Sequence, residues 1–171
     1  MMKKIIVISV VFLIHTTAAY SQKCKSGNCI DGNGTYTYAN GESYTGDFKD
    51  RKKHGEGIYT YRNGSEYNGT WIKDKKQGKG TFNYGSGSTY EGEFKKNMKW
   101  GYGIYTFSNG SHYEGQFKKD QMNGNGKYTF ANGEVYSGKF KNGKRNGKGT
   151  TTYPNGIEIT EQYKDGELVE K

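Results

Sequence analysis

The sequence predicts an all-β protein: one elongated, single-layer meander of tandem β-hairpins with a period of 23 residues. Three observations carry this. Tyrosines recur at that interval, at Tyr44, Tyr67, Tyr90, Tyr113 and Tyr136, and self-similarity at a fixed period is the signature of a stacked array. Within each unit the apolar residues alternate with period two, which is the pattern of a strand with one packed face. The composition pairs 27 Gly and one Pro with 15% aromatic residues, although only 31% of residues are hydrophobic. Disordered chains share the low hydrophobicity but lack the aromatics. The combination describes a thin core of ring faces, with glycine where backbone must bend or pass close.

The elements follow in chain order. Met1 to Lys4 is a basic start, Ile5 to Ile14 is an apolar run broken only by Ser9, and His15 to Ser21 is small and polar. This is the three-part layout of a secretory signal peptide, so residues 1–21 are expected to be removed before Gln22. Ten residues are too few to span a bilayer. Removing Lys3 and Lys4 from the 26 basic residues leaves 24 against 17 acidic ones, a net charge of +7. The expected location is secreted, periplasmic or in the cell envelope. Cys24 and Cys29 lie in the next segment, residues 22–31, around a Gly-Asn turn. In an oxidising compartment a pair this close can bridge and hold the first strand. Free thiols are the alternative. A metal site would need further ligands, and none is near in sequence.

The array is expected over residues 32–156, as a half unit and five whole units. In each whole unit a Tyr is followed by Gly and an aromatic at two-residue steps: Tyr44-Gly46-Phe48, Tyr67-Gly69-Trp71, Tyr90-Gly92-Phe94, Tyr113-Gly115-Phe117 and Tyr136-Gly138-Phe140. Paired glycines come next, from Gly55/Gly57 to Gly147/Gly149. Between aromatic and paired glycines the sequence predicts a polar loop of about six residues. Asn-Gly closes most units, at 40–41, 63–64, 109–110, 132–133 and 155–156, and predicts tight turns with positive φ at both residues. The third unit has Ser86-Gly87 instead, so a different turn is expected there. Residues 157–171 repeat the pattern in decayed form, as a terminal cap should. Eleven or twelve strands are expected in all.

These residues resemble the MORN (membrane occupation and recognition nexus) repeat. The pattern is Tyr-x-Gly-x-Phe, a variable stretch, then Gly-x-Gly-x-Tyr-x-Tyr-x-x-Gly. The stretch from Tyr136 to Thr150 is close to its consensus. The segment from Cys24 to Gly34 is similar to the start of exported bacterial members. The resemblance implies an elongated hairpin array that binds or scaffolds. Its partners would be a membrane surface or proteins. No appended catalytic domain is expected beside the repeats.

The chemistry of the chain points the same way. His54 and His112 occupy different places in the repeat, with no recurring Ser or Cys partner, and read as exposed polar residues. No dinucleotide loop, Walker motif or metal-ligand spacing occurs, so neither an enzyme nor a cofactor is expected. One distributed feature is a candidate site for anionic surfaces: Lys49, Arg51, Lys52, Lys53, Lys73, Lys75, Lys76, Lys95, Lys96, Lys99, Lys118, Lys119, Lys141, Lys144 and Arg145. Stacking in register would line these up along one long edge. There they would attract anionic lipid or an acidic protein, with peripheral membrane association, or simply keep the rim solvated. Met98, Trp100 and Met122 fall in the same stretches. Export argues against nucleic acid. A cell-envelope glycan binder is the alternative function, although modules of that kind use paired Trp and this chain has Trp71 and Trp100 alone. An open meander leaves two edge strands, which would permit a homodimer.

Overall fold

The computed structural model describes residues 23–169. The expected signal peptide lies outside the described residues. The described residues fold as one antiparallel sheet of 14 strands, each hydrogen-bonded to its neighbours in sequence. β1 (Lys23–Gly27) and β2 (Gly32–Thr37) form the first hairpin. Five units follow, each a shorter and a longer strand. They are β3 (Ser43–Lys49) with β4 (Lys52–Thr60), β5 (Glu66–Ile72) with β6 (Lys75–Asn83), and β7 (Thr89–Lys95) with β8 (Met98–Thr106). β9 (His112–Lys118) with β10 (Gln121–Thr129) and β11 (Val135–Lys141) with β12 (Lys144–Thr152) complete the set. β13 (Glu158–Lys164) and the short β14 (Glu167–Leu168) close the sheet. The strands beyond the expected number are β1, within the cysteine segment, and β14. Cys24 and Cys29 are disulfide-bonded, with Cα atoms 6.0 Å apart.

The two kinds of turn exchange the roles the sequence suggested. The expected six-residue loop is a two-residue turn, because strands extend to Lys49 and resume at Lys52. Asp50 and Arg51 both have positive φ (52° and 60°), as do Lys73/Asp74, Lys96/Asn97 and Lys119/Asp120. That pairing of dihedrals matches the twist of the flanking strands. The Asn-Gly dipeptides, in contrast, sit in longer loops where only the glycine is left-handed, Gly41 at 87° for example. Gly41 N–H donates to the Tyr38 carbonyl and Tyr38 N–H to that of Glu42, a type I turn finished by a left-handed residue. Asn40 takes part through its side chain, whose Oδ1 accepts from Glu42 N–H. The Ser86-Gly87 turn closes through the same two backbone bonds, at Tyr84, so the difference expected there is absent. Glycine supplies the left-handed residue common to these turns, and Asn is a local brace.

Packing is carried on one face. From Gly34 on β2 to Gly149 on β12, every strand places a glycine opposite the glycines of its neighbours. Over this line lie the five repeat tyrosines, each fully buried. A Cβ on Gly57 would come within 2.2 Å of the Tyr44 hydroxyl, and one on Gly126 within 2.3 Å of that of Tyr113. The second glycine of each pair is therefore required by a ring above it. The first has another reason. Gly55 has φ +58° where the β3–β4 register shifts, so it supplies the left-handed residue of a bulge.

The rings form two rows. In the inner row each buried tyrosine meets the aromatic of its own strand and that of the next unit edge to face. Tyr67 lies 5.1 Å from Trp71 and 4.9 Å from Phe94, with Tyr90, Tyr113 and Tyr136 continuing the chain to Tyr163. Edge-to-face pairs at such distances add about 0.5–1.5 kcal/mol each beyond area burial. The outer row runs Tyr38, Tyr59, Tyr61, Phe82, Tyr84, Tyr105, Phe107, Tyr128, Phe130 with tilted contacts of 4.4–5.7 Å. Apart from Tyr59, these rings are half-buried.

Candidate functional site

The fifteen candidate cations separate into two sets. Eleven are exposed along the edge formed by the two-residue turns: Lys49, Arg51, Lys52, Lys73, Lys75, Lys95, Lys96, Lys118, Lys119, Lys141 and Lys144. Like charges stand directly opposite one another at Lys49/Lys52 and Lys141/Lys144, an arrangement that costs stability rather than adding to it. The other four, Lys53, Lys76, Lys99 and Arg145, pair with Phe48, Trp71, Phe94 and Phe140. Paired residues share a face, so these four project over the aromatic face. They recur at the period of the array, with Met122 in the place of the fourth.

Strand pairing and turn chemistry together place this row. The backbone of each member is held by the turn of the following unit. Asp74 Oδ1 accepts from Lys53 N–H at 2.9 Å while Asp74 N–H donates to the Lys53 carbonyl. Asn97 holds Lys76 and Asp120 holds Lys99 in the same way. At Met122 and Arg145 the holding residues are Gly143 and Gly166, which supply the backbone donor alone.

Each cationic head lies among rings of both rows. Lys53 Nζ is 5.0 Å from the Tyr59 centroid and 5.1 Å from Trp71, and it pairs with Asp74 at 3.5 Å. Lys76 Nζ stands 4.5 Å from Phe82 and 5.4 Å from Tyr67, and Lys99 Nζ 4.5 Å from Tyr105 and 5.6 Å from Tyr90. Among the described residues no carboxylate lies within 4.0 Å of Lys76 Nζ or Lys99 Nζ. Burial therefore pulls the Lys76 ammonium down to about 8, and that of Lys99 down as well. Ring quadrupoles offset part of this desolvation. Arg145 stacks 4.9 Å from Tyr136 and donates to the Tyr163 hydroxyl. Met122 packs against the core rings and opens a depression lined by Tyr128, Phe130, Phe140 and Arg145.

The remaining residues singled out in the sequence lie elsewhere. Trp100 is on the opposite face, with Lys95 Nζ 4.9 Å from its ring. His54 and His112 are half-buried, not exposed. The His54 carbonyl accepts from the Tyr44 hydroxyl. Among the described residues no three His, Cys, Asp or Glu side chains cluster in a way that could hold a metal ion. The cation row escapes the sequence reading because that reading places these residues in a polar loop, where no face is defined. Its signal was there, since a basic residue two positions before the first paired glycine recurs in four of five units.

Comparison with known proteins agrees with this architecture. No curated protein matches the sequence. Among solved structures the fold is similar to the SAS-4 (dCPAP) TCP domain of Drosophila melanogaster, in complex with a proline-rich motif of Ana2 (dSTIL). Identity there is 15% and the TM-score 0.50, over 77% of this chain and 72% of that one. The wild-type TCP10 domain of Danio rerio CPAP, in complex with a peptide of STIL, is similar at 13% identity and a TM-score of 0.48, over 77% and 59%. At these identities the likeness concerns the fold alone. The MORN repeat pattern itself matches residues 30–43, 44–66, 67–89, 90–112, 113–135 and 136–158. With that match over most of its length, the chain belongs to the MORN repeat family.

Proposed function

We propose that this protein is an exported, non-enzymatic binding module that takes an extended peptide segment of a partner protein across its aromatic face. The observation that carries this reading is the outer ring row with unpaired ammoniums beside it. Apolar surface left half-exposed and desolvated charge left without a contacting counter-ion both cost stability, and a bound segment would relieve both. Aromatic-lined grooves are a recurrent means of holding extended peptides. The TCP domain that shares this fold was solved with a proline-rich peptide, which is consistent with the reading. Export rests on the pattern of residues 1–21, and N-terminal sequencing of the protein recovered from its host should begin at Gln22.

The test is selection of peptides from a displayed random library on the immobilised full chain. Peptides should be enriched, and a Tyr61→Ser/Tyr84→Ser variant should lose them while keeping its β-type circular dichroism. Enrichment that survives in that variant would place binding elsewhere, and no enrichment at all would remove the peptide reading.

A second reading is favoured by the eleven exposed cations on the turn edge, which suit an anionic membrane surface at about 1 kcal/mol for each residue that approaches it. It expects co-flotation with anionic but not neutral vesicles, weakened by salt and lost when Lys49, Lys52, Lys141 and Lys144 become Glu. Absence of flotation at low salt would exclude it.

A further inference from the structure

We infer that the segment held on the aromatic face is an acidic polyproline-II helix, with carboxylates three residues apart facing Lys76 and Lys99 and an apolar side chain three residues further on facing Met122. The inference rests on the peptide-binding reading above and adds the chemistry and spacing of the ligand.

Spacing is the first argument. Successive members of the cation row are separated by two strands, because each unit contributes one. At about 4.8 Å per strand this is about 9.6 Å. Three residues of a polyproline-II helix advance about 9.3 Å, and every third side chain returns to the same side. A β-extended peptide fails this requirement, since residues three apart point to opposite faces. The match between one repeat and one helical turn holds over the short run from Lys76 to Met122, before sheet twist spoils it.

Charge is the second argument. The four cations differ in how far they are already satisfied. Lys53 has Asp74 at 3.5 Å and the Tyr38 hydroxyl at 3.3 Å. Arg145 has the hydroxyl of Tyr163 at 3.2 Å. Lys76 and Lys99 have rings and, among the described residues, no carboxylate within 4.0 Å, Asp120 attracting both only from further off. An incoming carboxylate finds its strongest attraction at those two, where water is already displaced and the charge is screened least. Met122 breaks the row in the next unit, so no ammonium stands at that step. The depression beside it, lined by rings as well as by Lys144, Arg145, Asp165 and Glu167, offers a third carboxylate repulsion as well as attraction and an apolar side chain a contact with Met122. The outer rings Phe82, Tyr84, Tyr105, Phe107 and Tyr128 offer the faces against which proline rings pack.

The experiment is calorimetric titration of the full chain with synthetic peptides: Glu-Pro-Pro-Glu-Pro-Pro-Leu, its reverse, the same composition with the glutamates adjacent, and the first peptide with Gln for Glu. One of the two ordered peptides should bind at least about tenfold more tightly than the adjacent-acid and Gln peptides, since a charge-assisted bond in a desolvated site is worth that much. Lys76→Met and Lys99→Met keep the packed stem and should each abolish the difference. Met122→Lys restores the residue type of the neighbouring units and should turn preference from the Leu peptide to one with Glu in its place.

Equal binding of the Glu and Gln peptides would overturn the charge assignment while leaving the peptide reading intact. Equal binding of spaced and adjacent acids would overturn the spacing. Polygalacturonate bound in preference to every peptide would overturn the occupant. If no peptide binds and the displayed library is also unenriched, the peptide reading itself falls.

Discussion

At the scale of single residues, the repeat tyrosines show what a hydrogen bond contributes in this core. Tyr67, Tyr90 and Tyr113 donate to the carbonyls of Thr70, Glu93 and Gln116 at 3.0–3.1 Å. Tyr136 is as deeply buried, yet its hydroxyl has no partner among the described residues. Tyr113→Phe is therefore expected to cost about 1 kcal/mol, and Tyr136→Phe to be neutral or stabilising. Chemical denaturation of the two variants side by side decides this. Glycines divide similarly. Gly126→Ala drives a methyl into the Tyr113 ring and should cost about 2–3 kcal/mol or more by overpacking. Gly64→Ala meets open space and carries only the left-handed φ of +79°, about 1 kcal/mol. The tyrosines and paired glycines were legible in the sequence because each is required at every repeat. The row of Lys53, Lys76 and Lys99 was not, because its meaning depends on which side of the sheet a residue faces. Alternation back from Tyr59 through Gly57 and Gly55 gives that side correctly, since the bulge offsets the register by two residues, but only once the stretch is read as strand rather than as loop.

At the scale of the hairpin, turns do more than reverse the chain. From Lys73–Asp74 onward each two-residue turn docks on the strand of the unit before it, through a backbone donor and, at Asp74, Asn97 and Asp120, a side-chain acceptor. Asp120→Ala should thus cost about 1–2 kcal/mol, combining the unmade bond to Lys99 N–H with a left-handed φ of 68° that Ala tolerates poorly. Asp120→Asn should be near neutral, since Asn97 fills the equivalent place. Thermal melting of the pair separates the two contributions. Sequence reasoning found the five repeated hairpins and their alternation but exchanged the turn types and missed β1 and β14. Asn-Gly is the commonest marker of a two-residue turn. Here its glycine serves a longer loop, while charged pairs such as Lys119/Asp120 accept positive φ because the acid gains a partner outside its own hairpin.

The whole molecule is a one-dimensional stack, and its charge and ring content make stability depend on pH in two opposing ways. Burial depresses Lys76 to about 8 from an ordinary value near 10.5. Between those values the unfolded chain holds a proton that the folded chain has released, so stability should rise with pH across this window. The tyrosines act in reverse. Burial raises Tyr38, Tyr84 and Tyr113 to about 12, and Tyr67 and Tyr90 further still. Their contribution is complete below pH 10 and is lost as pH climbs toward the folded values. Stability followed by denaturant midpoint should thus pass through a maximum near pH 9–10 and then fall steeply. A monotonic decline from pH 7 would mean that Lys76 is more solvated than its surroundings indicate. The disulfide, by contrast, closes a separation of only five residues at one end of the stack. Its reduction should loosen β1 and β2 and leave exchange protection of β5 to β12 unchanged, because contacts are concentrated between adjoining strands and reach no further than the next unit.

The same nearest-neighbour order fixes how the protein bears a load. β1 and β14 stand at opposite ends of the sheet, so tension applied through the two ends pulls across the strands and opens hydrogen bonds one after another instead of shearing them together. Each unit should peel away as a separate event. A released stretch of 23 residues extends to about 80 Å and gives up about 10 Å of folded thickness. Optical-trap traces are accordingly expected to show a ladder of small, evenly spaced extensions of about 70 Å at low force. The protein would thus yield by paying out length hairpin by hairpin, a compliant tether rather than a rigid strut.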